Sequence, residues 1–286
     1  MRPTTDLALD TTEQLEEELD GVKIEKENFE DAVVTTIEIV SETGVKTIGK
    51  PKGRYITVEI TPFISDGEVF DGRMDAVVKT LTSLMPEQGL VLVAGLGNDH
   101  ITPDALGPKS IDYILATRHI SKELGESIGL GGLRGVATIV PGVLGQTGME
   151  TGEIICGIAE AVKPACLIVI DALASSSLSR LGCTVQISDT GIIPGSGVGN
   201  HRFEINQKTM GIPVISMGIP TVVNTMTLLN EITNGQCPQD ETYQNMVVTP
   251  REIDTVIERG AKLIGMSINR CLQKNLSVQD IFSLVG

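Results

Sequence analysis

Two aspartates stand where carboxylates could activate a water molecule. Asp104 lies in the loop GLGNDHITPDALGP, after an apolar run that ends at Gly95, and Asp171 directly follows the apolar run CLIVI. A carboxylate at the end of a fully apolar strand costs free energy unless it is used or paired. If the two carboxylates face one crevice, one can act as the base toward a water and the other, kept protonated by its neighbour's charge, as the acid. The pair therefore predicts hydrolytic chemistry.

Each aspartate taken alone also has a structural interpretation, and both interpretations remain open. Asp171 would cap a following turn through the serines at 175–177, or would accept hydrogen bonds from loop amides. Asp104 would be an ordinary loop carboxylate beside His100. Only the arrangement of the elements around them can decide between chemistry and capping.

Three loops rich in glycine and proline follow the apolar runs and should gather on one edge of a sheet. They span residues 95–108, 141–152 and 189–200. In open α/β sheets, ligands bind outside the carboxyl ends of the strands, whatever the activity. The further candidates for site residues in these loops are Asn98, Thr102, Asp189 and Gly195.

Other chemistries have weaker support in the residue patterns. The segment GSGVGN (195–200) could cradle a phosphate with backbone amides, but it lacks the P-loop spacing. The triplet DTG at 189–191 also occurs in pepsin-type proteases, which are all-β, and a tripeptide arises easily by chance. Asp189 is therefore a third-choice carboxylate, expected to cap its own turn. The serines at 175–177 lack the G-x-S-x-G elbow of serine hydrolases.

The positions of these loops depend on the elements that the chain forms. With 286 residues, 41% apolar and 21% charged, the chain is long enough to bury a full core, and no apolar stretch is long enough to predict a membrane span. The hydrophobic pattern predicts strands over 33–40, 54–61, 90–95, 136–140, 166–170, 184–188 and 213–218. It predicts helices over 68–84, 108–122, 150–162, 222–233, 250–274 and 277–285, with Pro108 as a first helical residue.

This alternation predicts an α/β fold with a mainly parallel or mixed sheet and helices on both faces. The two strands before residue 85 predict an N-terminal β-rich elaboration, joined through the turn-rich segment GVKTIGKPKG. The segment EQLEEEL could form one or two helical turns within a polar arm over residues 1–31.

The charge is concentrated at the start of the chain. The formal net charge is −15, and residues 1–42 hold 13 acidic and 3 basic side chains. A negative field repels phosphate, so we expect no direct binding of nucleic acid. The five cysteines form no C-x-x-C pair and the three histidines form no H-x-x-x-H pair, which favours reduced thiols in a cytosolic compartment and no bound metal or cofactor.

Five segments resemble, in order, the germination protease family of endospore-forming bacteria. They are GLGNDHITPDALGP, PGVLGQTGMETG, VIDALASSS, TVQISDTGIIPGSGVGN and GIPVISMGIPTVVN. The resemblance is dense over residues 90–225, and TTDLAL near the N-terminus is similar to the maturation region of the family.

The resemblance implies an activity, a fold and a set of partners. It implies an atypical aspartic endopeptidase that degrades small acid-soluble spore proteins during germination, in the forespore or spore core. It implies an inactive homotetrameric zymogen that removes its own N-terminal segment, and a fold similar to the hydrogenase-maturation endopeptidases. The two family aspartates fall on Asp104 and Asp171.

The resemblance also places the processing site. The segment from Asp6 to Asp10 reads acid, aliphatic residue, alanine, any residue, acid, which is similar to the substrate site of the family, cut after the first acid. Self-cleavage is thus expected between Asp6 and Leu7. Residues 1–6 would form a short propeptide, and residues 7–286 a single α/β peptidase domain with an acidic, mobile arm.

Two other functions stay open at this point. One is a metal-dependent endopeptidase closer to the hydrogenase-maturation group, in which the equivalent loop carboxylates bind nickel. The other is a phosphate- or nucleotide-binding module that uses GSGVGN. A chelator added to a cleavage assay and a thermal-shift screen with nucleotides would separate them from the aspartic endopeptidase.

Overall fold

The described strands of the protein lie in one mixed sheet. A computed structural model describes residues 5–12, 19–65, 67, 69–127, 129–195, 203–233 and 246–285. Its strands are β1 (Val22–Asn28), β2 (Ala32–Ile39), β3 (Gly53–Ile60), β4 (Val91–Gly95), β5 (Val136–Ile139), β6 (Cys166–Ser175), β7 (Thr184–Ser188), β8 (Val214–Asn224) and β9 (Val247–Val248).

The sheet has a parallel half and an antiparallel half. The strand order is β1-β2-β3-β7-β8-β6-β4-β5, with β9 beside β8. In the parallel half, neighbouring strands are parallel in the order β8, β6, β4 and β5. In the antiparallel half, neighbouring strands are antiparallel in the order β1, β2, β3, β7 and β8. The mixed α/β fold agrees with the prediction. The N-terminal strands form the predicted β-rich elaboration, and they extend the same sheet because β3 pairs with β7.

Helices cover both faces of the sheet. They are α1 (Ala8–Thr12), α2 (Glu42–Ile48), α3 (Gly72–Leu84), α4 (Leu106–Asp112), α5 (Lys122–Ser127), α6 (Leu144–Thr147), α7 (Thr151–Val162), α8 (Gln207–Met210), α9 (Thr225–Thr233), α10 (Ile253–Leu272) and α11 (Val278–Val285). Among the described residues, no helix is both long and apolar enough to cross a membrane.

Strand alternation sends apolar side chains to cores on opposite faces. In β4, Val91 and Val93 join the core under α3, α4, α10 and α11, while Leu92 and Ala94 join the core under α7. A third cluster packs Ala8 and Leu9 of α1 against the antiparallel half. Cys166 of β6 is a core residue, and burial raises the pKa of its thiol to about 12.

The N-terminal region differs from the predicted mobile arm. Residues 5–12 are docked, with Leu7 fully buried, and β1 is a sheet edge that the sequence pattern did not reveal. Edge strands carry charged, exposed side chains, which hides their alternation from the sequence. Of the segment EQLEEEL (13–19), for which helical turns were predicted, residues 13–18 lie outside the described residues.

Several predicted boundaries were also wrong. The connector between β2 and β3 contains α2, which is capped by the side chain of Ser41 and ends at Gly49 in the left-handed region. The helix predicted to start at Pro108 begins at Leu106 and ends at Asp112, so Pro108 is its third residue, where an amide hydrogen is not needed. Helix α3 begins at Gly72 because Asp71 caps it.

Candidate active site

The main candidate site is a cavity of about 400 Å³ that contains both predicted catalytic aspartates. It lies past the carboxyl end of β4 and beside the carboxyl-terminal halves of β6 and β8, so the loop argument predicted the edge of the sheet but not the part played by these two longer strands. Its lining includes Asp104, Asp171, Asn98 and Gly195, together with Asp6 from the N-terminal segment. Asp104 and Asp171 are therefore brought to one site from segments 67 positions apart in the sequence.

Strand β6 places Asp171, although not in the way the sequence indicated. The strand continues to Ser175, so Asp171 is a mid-strand residue and not the cap of CLIVI. It is 6% exposed, and one of its carboxylate oxygens accepts a hydrogen bond from the amide of Ala172 at 2.9 Å. Opposite it in β8 stands Gly218, where a Cβ would come within 2.3 Å of the Asp171 carbonyl oxygen.

A tight loop after β4 places Asp104. The amide of Asn98 donates to the Asp104 carboxylate at 2.8 Å. Gly97 has φ of +113°, and a Cβ there would lie 1.9 Å from the Asp104 carbonyl oxygen, so the loop depends on glycine at this position. The hydroxyl of Thr221 in β8 donates to the carbonyl of Pro103 at 2.8 Å and ties the loop to the sheet.

The other predicted site residues have mixed outcomes. The Asn98 side-chain oxygen accepts from the amide of His100 and from Gln146, both at 3.0 Å, while its backbone amide donates to Asp104. Thr102 starts a single 3-10 turn over Thr102–Asp104, and its neighbours Ile101 and Pro103 provide the lining instead. Gly195 lines the cavity, while positions 196–200 of GSGVGN lie outside the described residues.

Asp189 is occupied by a structural contact. Its carboxylate accepts from the backbone amide and the Nε of Arg54, both at 2.8 Å, across the β3–β7 pair. The expectation that Asp189 caps its own backbone was therefore wrong in detail, because the amide that it caps belongs to the neighbouring strand. Of the serines at 175–177, Ser175 and Ser176 donate hydrogen bonds to another carboxylate, that of Asp10.

The N-terminal segment enters the site as a bound chain. The Asp6 amide donates to the Ala174 carbonyl at 3.0 Å, and the Ala174 amide donates to the Asp6 carboxylate at 2.8 Å. Asp6 also lines a second cavity, of about 360 Å³, together with Lys50 and Tyr55. Asp6, at the expected cleavage position, thus contacts β6 at Ala174, which is three residues after Asp171 in that strand.

Lys50 is a site residue that sequence reasoning missed. Its Nζ donates to the carbonyl oxygen of Asp6 at 3.1 Å and to that of Thr5 at 3.4 Å. Burial lowers the pKa of Lys50, and the charges of Asp6 and Asp10 partly oppose this shift. A lone lysine in a connector carries no sequence signal for such a contact.

Within the described part of the chain, no group of three or more His, Cys, Asp or Glu side chains is placed to hold a metal ion. Two carboxylates line the first cavity and one lysine contacts the bound segment at Asp6. Groups of these types can supply an acid, a base and a donor to a carbonyl oxygen.

Comparison with known proteins agrees with a peptidase. A family model described as germination protease matches residues 4–234. The germination protease of Clostridium perfringens (strain ATCC 13124) is 40% identical over 316 residues, covering 97% of each chain. That of Clostridium acetobutylicum is 37% identical and covers 99% of this chain and 98% of its own.

The chain belongs to the germination protease family and is a peptidase. The germination protease of Priestia megaterium is 46% identical over 222 residues, covering 75% of this chain and 59% of its own. A solved structure, the [NiFe] hydrogenase maturation protease HycI from Thermococcus kodakarensis, matches with a TM-score of 0.38 and 17% identity. That match covers 66% of this chain and 99% of HycI.

Proposed function

We propose that this chain is a self-processing aspartic endopeptidase that begins the degradation of small acid-soluble spore proteins during germination. The observation that supports this most directly is the cavity shared by Asp104, Asp171 and the chain's own Asp6. Membership of the germination protease family supports the biological setting. The metal-dependent alternative is not favoured.

The proposed chemistry uses the two carboxylates as an acid and a base. One carboxylate takes a proton from a water as its oxygen attacks the carbonyl carbon of Asp6, and the protonated partner delivers a proton to the leaving nitrogen of Leu7. The C–N bond breaks, leaving a carboxyl group on Asp6 and an amino group on Leu7. Negative charge that develops on the Asp6 carbonyl oxygen is stabilised by the Lys50 ammonium, which already donates to that oxygen.

The zymogen state, the homotetramer and the absence of nucleic-acid binding belong to the same proposal. They rest on the resemblance and on the acidic N-terminal region. Sedimentation of the chain before and after processing measures the assembly directly, and a particle of about four times 30.4 kDa is expected in both forms.

The decisive experiment is to incubate the purified chain with a small acid-soluble spore protein and to map the first cut by mass spectrometry. A single first cut after an acidic residue that is followed by an aliphatic residue and alanine is expected. A parallel reaction with chelator should proceed at the same rate. No cleavage, or cleavage only with added metal, would refute the proposal.

A further inference from the structure

The nitrogen of Leu7 is separated from a buried carboxylate by a single hydroxyl group. Its amide donates to the hydroxyl oxygen of Thr5 at 3.1 Å, and this hydroxyl donates to Oδ2 of Asp10 at 2.6 Å. Leu7 is fully buried, and Asp10 is 4% exposed. The Thr5 hydroxyl therefore bridges the nitrogen at the expected cut and the carboxylate three residues after it.

The Asp10 carboxylate is held by the body of the protein. Its Oδ2 also accepts from the Ser176 amide at 2.7 Å, the Ser176 hydroxyl at 3.1 Å and the Ser175 hydroxyl at 3.0 Å. The Nη1 of Arg180, in a single 3-10 turn after β6, donates to Oδ1 at 3.2 Å. Hydrolysis at the expected position leaves these partners covalently in place and removes only the Thr5 hydroxyl.

Hydrolysis also changes the charge of the Leu7 nitrogen. The bond between this nitrogen and the carbonyl carbon of Asp6 breaks, and the water oxygen stays on Asp6 as part of a carboxylate. Both water hydrogens end on the nitrogen, which becomes an ammonium group. A buried ammonium group costs free energy unless a carboxylate pairs with it. Because Thr5 departs, the acceptor position on Oδ2 of Asp10 becomes open to the new ammonium group.

We propose that processing creates an ion pair between the α-ammonium group of Leu7 and the carboxylate of Asp10, which anchors residues 7–12 in the processed enzyme. The inference rests on the proposed function, since it takes the bond after Asp6 as the one that is cut. Before the cut the same nitrogen is a neutral amide, so the pair exists only in the processed form. It replaces the contacts that the departing residues supplied and keeps α1 docked.

Two cations also face this pair and limit its strength. Arg180 already binds the other oxygen of Asp10, and Lys50, in the connector between α2 and β3, donates to the carbonyl oxygen of Thr5 at 3.4 Å. The carboxylate raises the pKa of the ammonium group, whereas the two cations lower it. We expect the pKa of the Leu7 amine to lie about 1 unit above the ordinary α-amino value of about 7.7–8.0.

The test measures the pKa of this amine directly. A chain that begins at Leu7 is made by placing the recognition sequence of an unrelated protease, one that leaves no extra residue, in front of Leu7 in place of residues 1–6. Trace acetic anhydride labels the amine across roughly pH 6–11, and mass spectrometry of the N-terminal peptide gives the labelled fraction. We expect the midpoint of labelling to lie about 1 unit above that of the same chain unfolded in urea.

The matched control chain begins one residue earlier and carries Asp6→Ala. The nitrogen of residue 6 donates to the carbonyl oxygen of Ala174 at 3.0 Å, so the ammonium group of this chain is held away from Asp10. Its labelling midpoint should stay close to that of the unfolded chain. Equal midpoints in this control and in the chain that begins at Leu7 would overturn the pair.

Replacing the carboxylate identifies the partner of the ammonium group. Asp10→Asn, in the chain that begins at Leu7, should remove the rise of the labelling midpoint. A midpoint that stays raised in a folded Asp10→Asn chain would overturn the assignment to Asp10. If this variant does not fold by circular dichroism, the comparison with the chain that begins at residue 6 decides.

Stability as a function of pH gives a second readout. Because pairing raises the pKa of the amine above its unfolded value, the stabilisation is fully present below about pH 8 and is lost as the pH rises through the folded pKa, about 9. The urea midpoint of the chain that begins at Leu7 should fall across this window by more than that of the control chain. Parallel falls in the two chains would count against the pair.

The prepared chain separates this inference from the proposed function. A raised pKa in the prepared chain, with no self-processing by the full-length chain, would support the pair and refute the proposed function. An ordinary pKa in a chain that has processed itself at Leu7 would overturn the pair and leave the proposed function intact.

Discussion

At the scale of single residues, the carboxylates of this protein divide into those at the cavity and those with structural contacts. Asp104 and Asp171 line the cavity, whereas Asp189 holds the backbone and side chain of Arg54. The difference in partners predicts a difference in the effect of replacing each aspartate by asparagine, a change that keeps the shape and removes the charge.

Asp104→Asn and Asp171→Asn should each abolish detectable substrate cleavage and self-processing. A positioned acid or base contributes about 10²–10⁴ in rate, and each variant lacks one of the two. Circular dichroism and oligomer size should stay as in the wild type. Asp189→Asn is the matched control and should keep measurable activity with lower stability. Near-normal turnover by Asp171→Asn, or a folded but inactive Asp189→Asn, would contradict the assignment.

Lys50 should influence both the rate of self-processing and its dependence on pH. Lys50→Met removes the donor to the Asp6 carbonyl and should slow self-processing by about 10²-fold. Because burial lowers the pKa of Lys50, its charge is lost at a lower pH than that of an ordinary lysine, so the wild-type rate should fall on the alkaline side. Lys50→Arg should move that fall to higher pH, since arginine stays charged.

The control for Lys50 is its near neighbour Lys52, which pairs with Glu42 on the surface. Lys52→Met should leave the rate and the pH profile of self-processing unchanged. The measurement is the fraction of processed chain against time at each pH, read from gels. An unchanged alkaline limb in Lys50→Arg would show that another group sets it.

At the scale of elements, capping residues determine where helices begin, and docking of the N-terminal segment fixes the register in which the expected cleavage position is held. Asp71 caps α3 through the amide of Arg73 at 2.9 Å and also binds the side chain of this residue, which is 1% exposed. Ser41 caps α2, with its hydroxyl accepting from Gly44 at 3.2 Å. The two caps differ because Asp71 also binds the buried side chain of Arg73, whereas Ser41 binds only a backbone amide in its helix.

Asp71→Ala should therefore lower the free energy of unfolding far more than Ser41→Ala. Removing Asp71 takes this carboxylate away from the buried Arg73 charge, which costs about 3–5 kcal/mol. Removing the Ser41 hydroxyl costs about 1 kcal/mol, the usual value for a lost cap. Urea denaturation of both variants and the wild type measures the difference. Equal losses would mean that Arg73 contributes little beyond an ordinary cap.

Self-processing should give one sharp N-terminus, at Leu7. Asp6 is fixed at Ala174 and Leu7 is fully buried, so the chain is presented to the cavity in one register. N-terminal sequencing of the processed protein should read Leu-Ala-Leu. Ragged ends, or a single end elsewhere, would show that the segment is trimmed as an ordinary exposed terminus instead.

At the scale of the whole molecule, the net charge of −15 is expected to disfavour binding to nucleic acid. The acidic N-terminal region repels phosphate over roughly 8 Å at physiological salt. We expect the enzyme to bind no duplex DNA and to attack only substrate that has left the DNA. Cleavage of a small acid-soluble spore protein should slow when excess duplex DNA is added, and equal rates would count against this. Cleavage of a short peptide, which DNA does not shield, is the control.

Much of the fold could be predicted from local hydrophobic patterns in the sequence. The apolar runs of β4 and β6, and the pattern of α7, are readable because buried parallel strands and amphipathic helices have distinct periodicities. The positions of Asp104 and Asp171 after such runs also predicted that both would meet at one edge of the sheet. Because periodicity depends only on residues that are near one another in the sequence, these strands and helices can be predicted without knowing the tertiary structure.

Other features depend on pairings that no local pattern records. The continuation of β6 through Asp171 depends on β8 running beside it, with Gly218 leaving room for the Asp171 carbonyl. The contacts of Lys50 with Asp6, and of Arg180 with Asp10, join residues 44 and 170 positions apart. Which side chains meet across such distances is decided by packing and by the burial of charge, and these exist only once the sheet has formed.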